Sequence, residues 1–238
     1  MDIGGLQETT LLDYPGKVAC TVFLIGCNFR CPFCYSGELV LPEKIKLQPR
    51  IPENKFFEFL EKRKNLLDGC VVCGGEPTIH QELPDFIRKI KSLGYLVKMD
   101  TNGSNPKMLK NLIDEKLIDY VAMDVKSPLE KYNNMAGVKV DTKKIQGSIN
   151  ILKEEIIDFE FRTTVIPTLI DRNDVVKIAH LIGDNPSADI KKVKYYLQNF
   201  RAEKTIDPKF EKIKSYPDKY LLDVQKEISS FFKICEIR

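Results

Sequence analysis

The stretch that decides the fold is Lys17–Gly26, KVACTVFLIG, which runs without a break into Cys27–Cys34, CNFRCPFC. Its first part is short, apolar and rich in β-branched residues, the pattern of a strand buried on both faces of a parallel sheet. Its second part sets three thiols in a loop at the carboxyl end of that strand, where βα folds place their chemistry. Outward from it the rhythm repeats. Residues 70–73, 95–100, 120–124, 159–166 and 193–198 are further strand-like runs. Between them apolar residues recur at helical spacing: Phe56, Phe59 and Leu60; Leu83, Phe86, Ile87 and Ile90; Leu109, Leu112 and Ile113; Ile145, Ile149 and Leu152. Asn105-Pro106 reads as an N-cap followed by proline at the first helical position, and Gly94 and Gly183 stand where helices should stop. Six strand–helix units fit between residues 17 and 235. They predict an α/β fold of parallel strands with right-handed crossovers, doubly wound or curved into a barrel; six units make a partial (β/α)6 barrel. Residues 1–16, with Gly4-Gly5 and Pro15-Gly16, predict a short N-terminal hairpin or plug. No linker or internal repeat interrupts residues 1–238, which read as a single domain with 1–16 as its extension.

The 238 residues are 43% hydrophobic and 30% charged, near the averages for soluble proteins, which excludes disordered, collagen-like and disulfide-scaffold classes. The longest apolar stretch, Val18–Cys27 with Thr21 inside it, falls short of the ~20 residues needed to cross a bilayer. Met1-Asp2-Ile3 lacks the basic start of a secretion signal. No membrane partner and a cytoplasmic location are therefore expected. The 37 basic and 34 acidic residues give a net charge of +3, spread along the chain and too weak to argue for nucleic acid. With His80 and His180 as the two histidines, a His-ligated catalytic zinc and most His-based nucleophile relays lack parts. Seven cysteines read as reduced thiols available for metal, catalysis or packing.

A metal explains Cys27, Cys31 and Cys34 better than packing does, because a core does not need three thiols in a loop around a proline. A structural zinc takes four closed ligands, and Cys20, Cys70, Cys73, Cys235 and His80 offer no partner pair at finger-like spacing. Ferredoxin runs are C-x2-C-x2-C or C-x4-C-x2-C with a fourth cysteine, whereas this loop is C-x3-C-x2-C without an obvious fourth. Three thiolates on a four-iron cluster leave one iron open, and an open metal position is where a substrate or cofactor binds.

The C-x3-C-x2-C loop, with Phe33 before its third cysteine, resembles the cluster loop of radical S-adenosylmethionine enzymes. The resemblance implies that Cys27, Cys31 and Cys34 hold a [4Fe-4S] cluster, that the methionine end of S-adenosylmethionine chelates the open iron, and that Phe33 lies against adenine. It implies reductive cleavage to a 5′-deoxyadenosyl radical. Cys73-Gly74-Gly75-Glu76-Pro77-Thr78, ending the second predicted strand, resembles that family's Gly-Gly-Glu-Pro motif, which supports the methionine amino group through Gly74, Gly75 and Glu76. By the same resemblance Thr101 and Asn102 should lie beside the cofactor, Asp124 near its amino group and Lys126 near its carboxylate. Arg162, which shares a strand face with Thr164, and Gln198 are plausible ribose or adenine contacts. An Asp-Thr-Asn-Gly turn also forms without a ligand, and Asp124 and Lys126 could simply neutralise each other. Cys70 and Cys73 would point to opposite faces of a strand and read as packing residues, as do Cys20 and Cys235. A lone loop histidine such as His80 reads as solvated or structurally bonded, and His180 stays outside the site.

Thr9–Lys17 (TTLLDYPGK), Gly26–Pro32 and Glu38-Leu39-Val40 resemble the activating proteins of anaerobic ribonucleoside-triphosphate reductase and related glycyl-radical activases. Only Cys235 follows Cys73, so no auxiliary clusters are expected. The implied partners are a glycyl-radical enzyme, whose glycine loses a hydrogen, and a low-potential electron donor such as flavodoxin or ferredoxin. Tyr35-Ser36-Gly37 departs from the His-Asn-Pro those activases more often carry, and Cys73 from a threonine; neither touches the cluster ligands, and the first alters the loop that would face the partner and so bears on partner identity. The competing readings are a radical enzyme acting on a small molecule such as a nucleotide-base precursor, and a non-catalytic iron–sulfur or zinc protein.

Overall fold

The computed structural model describes residues 1–154, 157–183 and 193–238. Among them, eight strands follow one another in sheet order β1 to β8. β1 (Ile3–Thr10) runs antiparallel to β2 (Ala19–Leu24). β2, β3 (Gly69–Gly74) and β4 (Leu96–Thr101) are parallel and in register, with Cys20 beside Cys70 and Val71 beside Lys98. β5 spans Tyr120–Asp124. β6 (Asp158–Val165), β7 (Lys194–Asn199) and β8 (Ile234–Ile237) are again parallel. The α/β class and the six expected strands, β2 to β7, are present. β8 adds a strand that four residues of sequence could not announce, and residues 1–16 contribute β1, which makes its hairpin with β2 rather than within itself.

The chain is organised as two compact units, residues 1–28, 36–101 and 105–122, and residues 29–35, 102–104 and 123–238. In the first, α1 (Gly37–Val40) and α2 (Pro42–Ile45) are single turns, while α3 (Glu53–Lys62), α4 (Leu83–Ser92) and α5 (Pro106–Asp114) are amphipathic. Their apolar stripes are the predicted ones: Phe56 and Leu60 of α3, and Leu83, Phe86, Ile87 and Ile90 of α4, are buried, with Phe56 and Phe86 stacked at 5.5 Å. Tyr14 packs with Ala19, Val71 and Tyr120 at the N-terminal ends of β2 and β3. Gly69 makes room for it, since a Cβ there would stand 3.0 Å from the Tyr14 ring. Thr21 Oγ1 donates to Asp13 at 2.7 Å. The Asp13-Tyr14 stretch is thus a floor for this unit.

In the second unit α6 (Tyr132–Ala136), α7 (Thr142–Lys153), α8 (Arg172–Gly183) and α9 (Asp218–Ile228) accompany β6 to β8. Glu160 of β6 is fully buried and is met by both terminal nitrogens of Arg238, at 2.9 and 3.3 Å. The Arg238 guanidinium in turn lies 3.4 Å above the Tyr196 ring, so the residue after β8 anchors that short strand. No helix among the described residues is long and apolar enough to cross a membrane.

Candidate active site

In the first unit the glycine motif is built by close backbone approach. Gly74 has φ +121, and a Cβ there would stand 2.9 Å from the Phe23 carbonyl carbon and nearer still to Leu24. A Cβ on Gly75 would meet the Gly26 carbonyl, 2.5 Å from its carbon, and stand 3.2 Å from the Cys27 nitrogen. That contact is sealed by two bonds: Gly75 N–H donates to Leu24 O at 2.9 Å and Glu76 N–H to Gly26 O at 2.8 Å. Gly26 N–H donates to Leu39 O at 2.8 Å. The motif therefore fixes the residue that precedes Cys27.

The Glu76 carboxylate is buried, and its Oε1 accepts from Thr78 Oγ1 at 2.5 Å, Thr78 N–H at 3.1 Å and Thr101 Oγ1 at 2.8 Å. Thr101, expected beside a cofactor, thus holds Glu76 in place. Asn105 caps α5 through Met108 N–H at 3.2 Å and donates to Thr78 O at 2.7 Å. Thr78 was not singled out by sequence, although a threonine two residues after a turn carboxylate is a local signal for this bond.

In the second unit the loop Phe29–Tyr35 carries Cys31 and Cys34. Arg30 N–H donates to Ala136 O at 2.7 Å, Cys34 N–H to Cys31 O at 3.0 Å, Asp207 N–H to Pro32 O at 2.9 Å and Ile206 N–H to Cys34 O at 3.0 Å. Gly137, at φ +65, lets the backbone pass this loop, because a Cβ there would stand 2.8 Å from the Arg30 carbonyl carbon. Tyr35 completes the clamp: its hydroxyl donates to Arg201 O and accepts from Arg201 N–H, both at 2.9 Å, and its ring stacks on Phe200 at 6.3 Å. This strap, residues 200–207, was not foreseen, since it has no periodic pattern.

The same unit has a small open hollow lined by Phe33, Asp124, Lys126, Met135, Arg162 and Thr164. Asp124 Oδ1 accepts from Arg162 Nε at 2.9 Å and Oδ2 from Lys126 Nζ at 3.5 Å. Burial pulls the Asp124 carboxyl up, but Arg162 and Lys126 outweigh it and hold the group below the usual carboxylate range. Burial pulls the Lys126 ammonium down, and Asp124 followed by Cys31 outweighs it and raises it. Lys126 N–H also donates to Tyr132 Oη at 3.3 Å, a buried phenol that sequence missed. Burial pushes the Cys31 thiol up to about 11 against the downward pull of Lys126. One carboxylate between two cations complements a zwitterion. Asn102 is buried and accepts from Ser104 N–H at 2.9 Å, the turn that forms without a ligand. Gln198 Oε1 accepts from Thr164 Oγ1 at 3.4 Å.

Among the described residues no three His, Cys, Asp or Glu side chains are grouped as ligands of one metal ion. A polynuclear cluster instead takes one thiolate per iron, and on donor chemistry this loop fits it: Cys31 and Cys34 on a clamped backbone with a lysine beside them, and Cys27 following a glycine that the Gly-Gly-Glu motif locks in place.

Residues 21–182 match the family model described as the radical SAM superfamily. Two proteins of Methanocaldococcus jannaschii, each described as a "Putative glycyl-radical enzyme activating enzyme", are similar along most of the chain. One is 31% identical over 99% of this chain and 95% of its own length, the other 29% identical over 86% and 78%. A domain of pyruvate-formate lyase-activating enzyme from Bacteroides vulgatus has a TM-score of 0.57 at 16% identity, covering 71% of this chain and 98% of that one. At that identity the likeness speaks for fold alone.

Proposed function

Because this chain belongs to the radical SAM superfamily, whose members work with a [4Fe-4S] cluster and S-adenosylmethionine, we propose that it is a glycyl-radical enzyme activase. The observation that carries this reading is the 31% identity to a relative so described, sustained over 99% of this chain and 95% of that one. The substrate is a glycine of a partner glycyl-radical enzyme, anaerobic ribonucleoside-triphosphate reductase by the resemblance of Thr9–Lys17 and Gly26–Pro32, with a flavodoxin or ferredoxin as electron donor.

Cys27, Cys31 and Cys34 would hold the cluster, and the clamped backbone on either side of Cys31 keeps that loop in one conformation. When bound, the cluster supplies the electron that splits S-adenosylmethionine into methionine and a 5′-deoxyadenosyl radical, which takes the glycine hydrogen. The chain's own part is binding and orientation. Lys126 and Arg162 offer cations to the methionine carboxylate, Asp124 an acceptor for its ammonium, and Phe33 an apolar wall. Gly74 and Gly75 admit the chain's own backbone from Phe23 to Cys27 where side chains would stand, which sets the motif against the residue before Cys27; Gly74, Gly75 and Glu76, the last held by Thr78 and Thr101, are proposed beside the methionine ammonium. Asn102 and Gln198 are proposed as further cofactor contacts.

The test is anaerobic incubation of the reconstituted protein with reductant, S-adenosylmethionine and a cognate glycyl-radical enzyme deuterated at its target glycine. A glycine-centred paramagnetic doublet and deuterium in 5′-deoxyadenosine are expected. Deoxyadenosine formed with a small metabolite, and no glycyl radical with any candidate partner, would transfer the proposal to the small-molecule reading.

A further inference from the structure

His80 stands at the end of the one-turn segment Pro77–Ile79, directly after the Gly-Gly-Glu motif. Its placement is set by the backbone on both sides: its N–H donates to Pro77 O at 3.2 Å, and its carbonyl accepts from Leu83 N–H, at the start of α4, at 3.2 Å. The ring is thereby laid against Gly26. A Cβ on Gly26 would stand 3.2 Å from Ile79 Cδ1, 3.8 Å from His80 Cε1 and 3.9 Å from His80 Nε2. Nε2 is buried from solvent and has no hydrogen-bond partner. A buried polar atom left unpaired is destabilising, and such atoms in native proteins call for a partner of matching chemistry. The next residue after Gly26 is Cys27.

We propose that His80 is a positioning residue for the cluster, donating a hydrogen bond from Nε2–H to sulfur at the Cys27 corner. This rests on the reading of Cys27 as a cluster ligand. A simple packing role does not account for the choice of residue, because Ile79 already covers Gly26 and an apolar ring or chain would carry no orphaned nitrogen. A hydrogen bond to sulfur strengthens as the cluster gains an electron, so the donor favours the reduced state and raises the potential. His80 then helps a scarce low-potential electron to stay on the cluster.

The test compares wild type, His80→Leu, His80→Gln and His80→Asn after anaerobic reconstitution. Iron and sulfide are counted first: a wild-type protein that takes up no cluster overturns the ligand assignment itself. On loaded proteins the potential is read from the paramagnetic signal of the reduced cluster. His80→Leu is expected to shift the reduction equilibrium against the reduced cluster by roughly three- to tenfold, tenfold being about 59 mV for one electron. His80→Gln, whose amide nitrogen reaches to about the same place as Nε2, should restore most of it, and the shorter His80→Asn should not. An exchangeable-proton coupling to the reduced cluster should be lost in His80→Leu and present in His80→Gln. If His80→Leu carries a full cluster at the wild-type potential, the proposal fails while the ligand assignment stands. If His80→Leu takes up no cluster, the glutamine and asparagine variants decide: equal potentials in the two overturn the proposal, and a lower value for asparagine alone supports it.

Discussion

Replacing Gly75 by alanine isolates the contact that locks the Gly-Gly-Glu motif onto the residue before Cys27. Gly75 is not among the glycines with positive φ, so alanine meets no conformational barrier there; the obstacle is space. The new methyl would lie 2.5 Å from the Gly26 carbonyl carbon, whereas carbon atoms rest at about 3.5–4.0 Å, and no rotamer relieves a clash between backbone atoms. The two segments must part by about 1 Å or more, at the expense of the 2.8 Å bond from Glu76 N–H to Gly26 O. Overpacking of this kind costs about 1–3 kcal/mol and the lost bond about 0.5–1.5 kcal/mol, together about 2–4 kcal/mol. For a chain of this size the melting temperature should fall by roughly 5–15 °C. Two other glycines separate the causes. Gly94 has φ +95 with open space around it, so Gly94→Ala should cost about 1–2 kcal/mol from backbone conformation alone. Gly5, whose added Cβ would make an ordinary 3.4 Å contact with Phe23, should change by no more than about 0.5 kcal/mol. Calorimetric melting of the three apo variants is one assay, and iron content after reconstitution is the other: Gly75→Ala should lose cluster and Gly94→Ala should not. A Gly75→Ala protein that melts with Gly5→Ala and holds a full cluster would refute the claim that this contact positions Cys27.

Cys27→Ala, Cys31→Ala and Cys34→Ala should each abolish stable cluster binding, whereas Cys20→Ala and Cys235→Ala should leave iron and sulfide content unchanged; an intact cluster in Cys31→Ala would sink the ligand set. Lys126→Ala should weaken S-adenosylmethionine binding roughly ten- to hundredfold, the value of a charge-assisted contact, with wild-type affinity by calorimetric titration returning Lys126 to a partner of Asp124 only. For Asp124, a carboxyl held below its usual range contributes stability above the unfolded pKa of about 3.9 and loses it as pH falls through the lower folded value. The melting difference between wild type and Asp124→Asn should therefore be steady from about pH 5 to 8 and close toward about pH 3, and a difference that grows on acidification would contradict the sign.

The strands β2 to β7 were legible because each is a short run rich in β-branched or aromatic residues between helices whose stripes repeat at 3.6-residue spacing, and that length and composition separate them from buried helix segments. β8 was not, because four residues, Ile234–Ile237, carry too little pattern, and what docks them is the distant pair Arg238 and Glu160. At the site, residue types at strand ends were legible and their bonds were not. Thr101 and Asn102, expected beside a cofactor, bond Glu76 and Ser104, and Thr78, inside the turn, gives the Glu76 carboxylate two further bonds. His80 read as solvated or structurally bonded, and the structure leaves its Nε2 neither. Pairing of this kind depends on which backbone segments approach each other, and spacing along the chain does not encode that.

The departure at Tyr35 bears on the partner question differently once its bonds are known. A residue directly after the third thiol is a natural candidate to meet a macromolecular substrate, and a tyrosine there alters the chemistry it could present. In this protein, however, the Tyr35 hydroxyl spends both its donor and an acceptor position on the backbone of Arg201, and its ring is stacked on Phe200. The group that differs from the usual activase pattern is therefore directed at the chain's own strap, alongside the bonds from Ile206 and Asp207 that hold Cys34 and Pro32. Its change of identity is matched by an internal partner rather than an external one. What remains for a partner to recognise on this segment is the exposed edge of the Tyr35 ring, 38% accessible, and the charged side chains of the strap itself, Arg201, Glu203 and Lys204, which are exposed. If the proposed activase function holds, a partner that meets this segment would find the exposed Arg201, Glu203 and Lys204 of the strap after β7 beside a Tyr35 whose hydroxyl is already engaged.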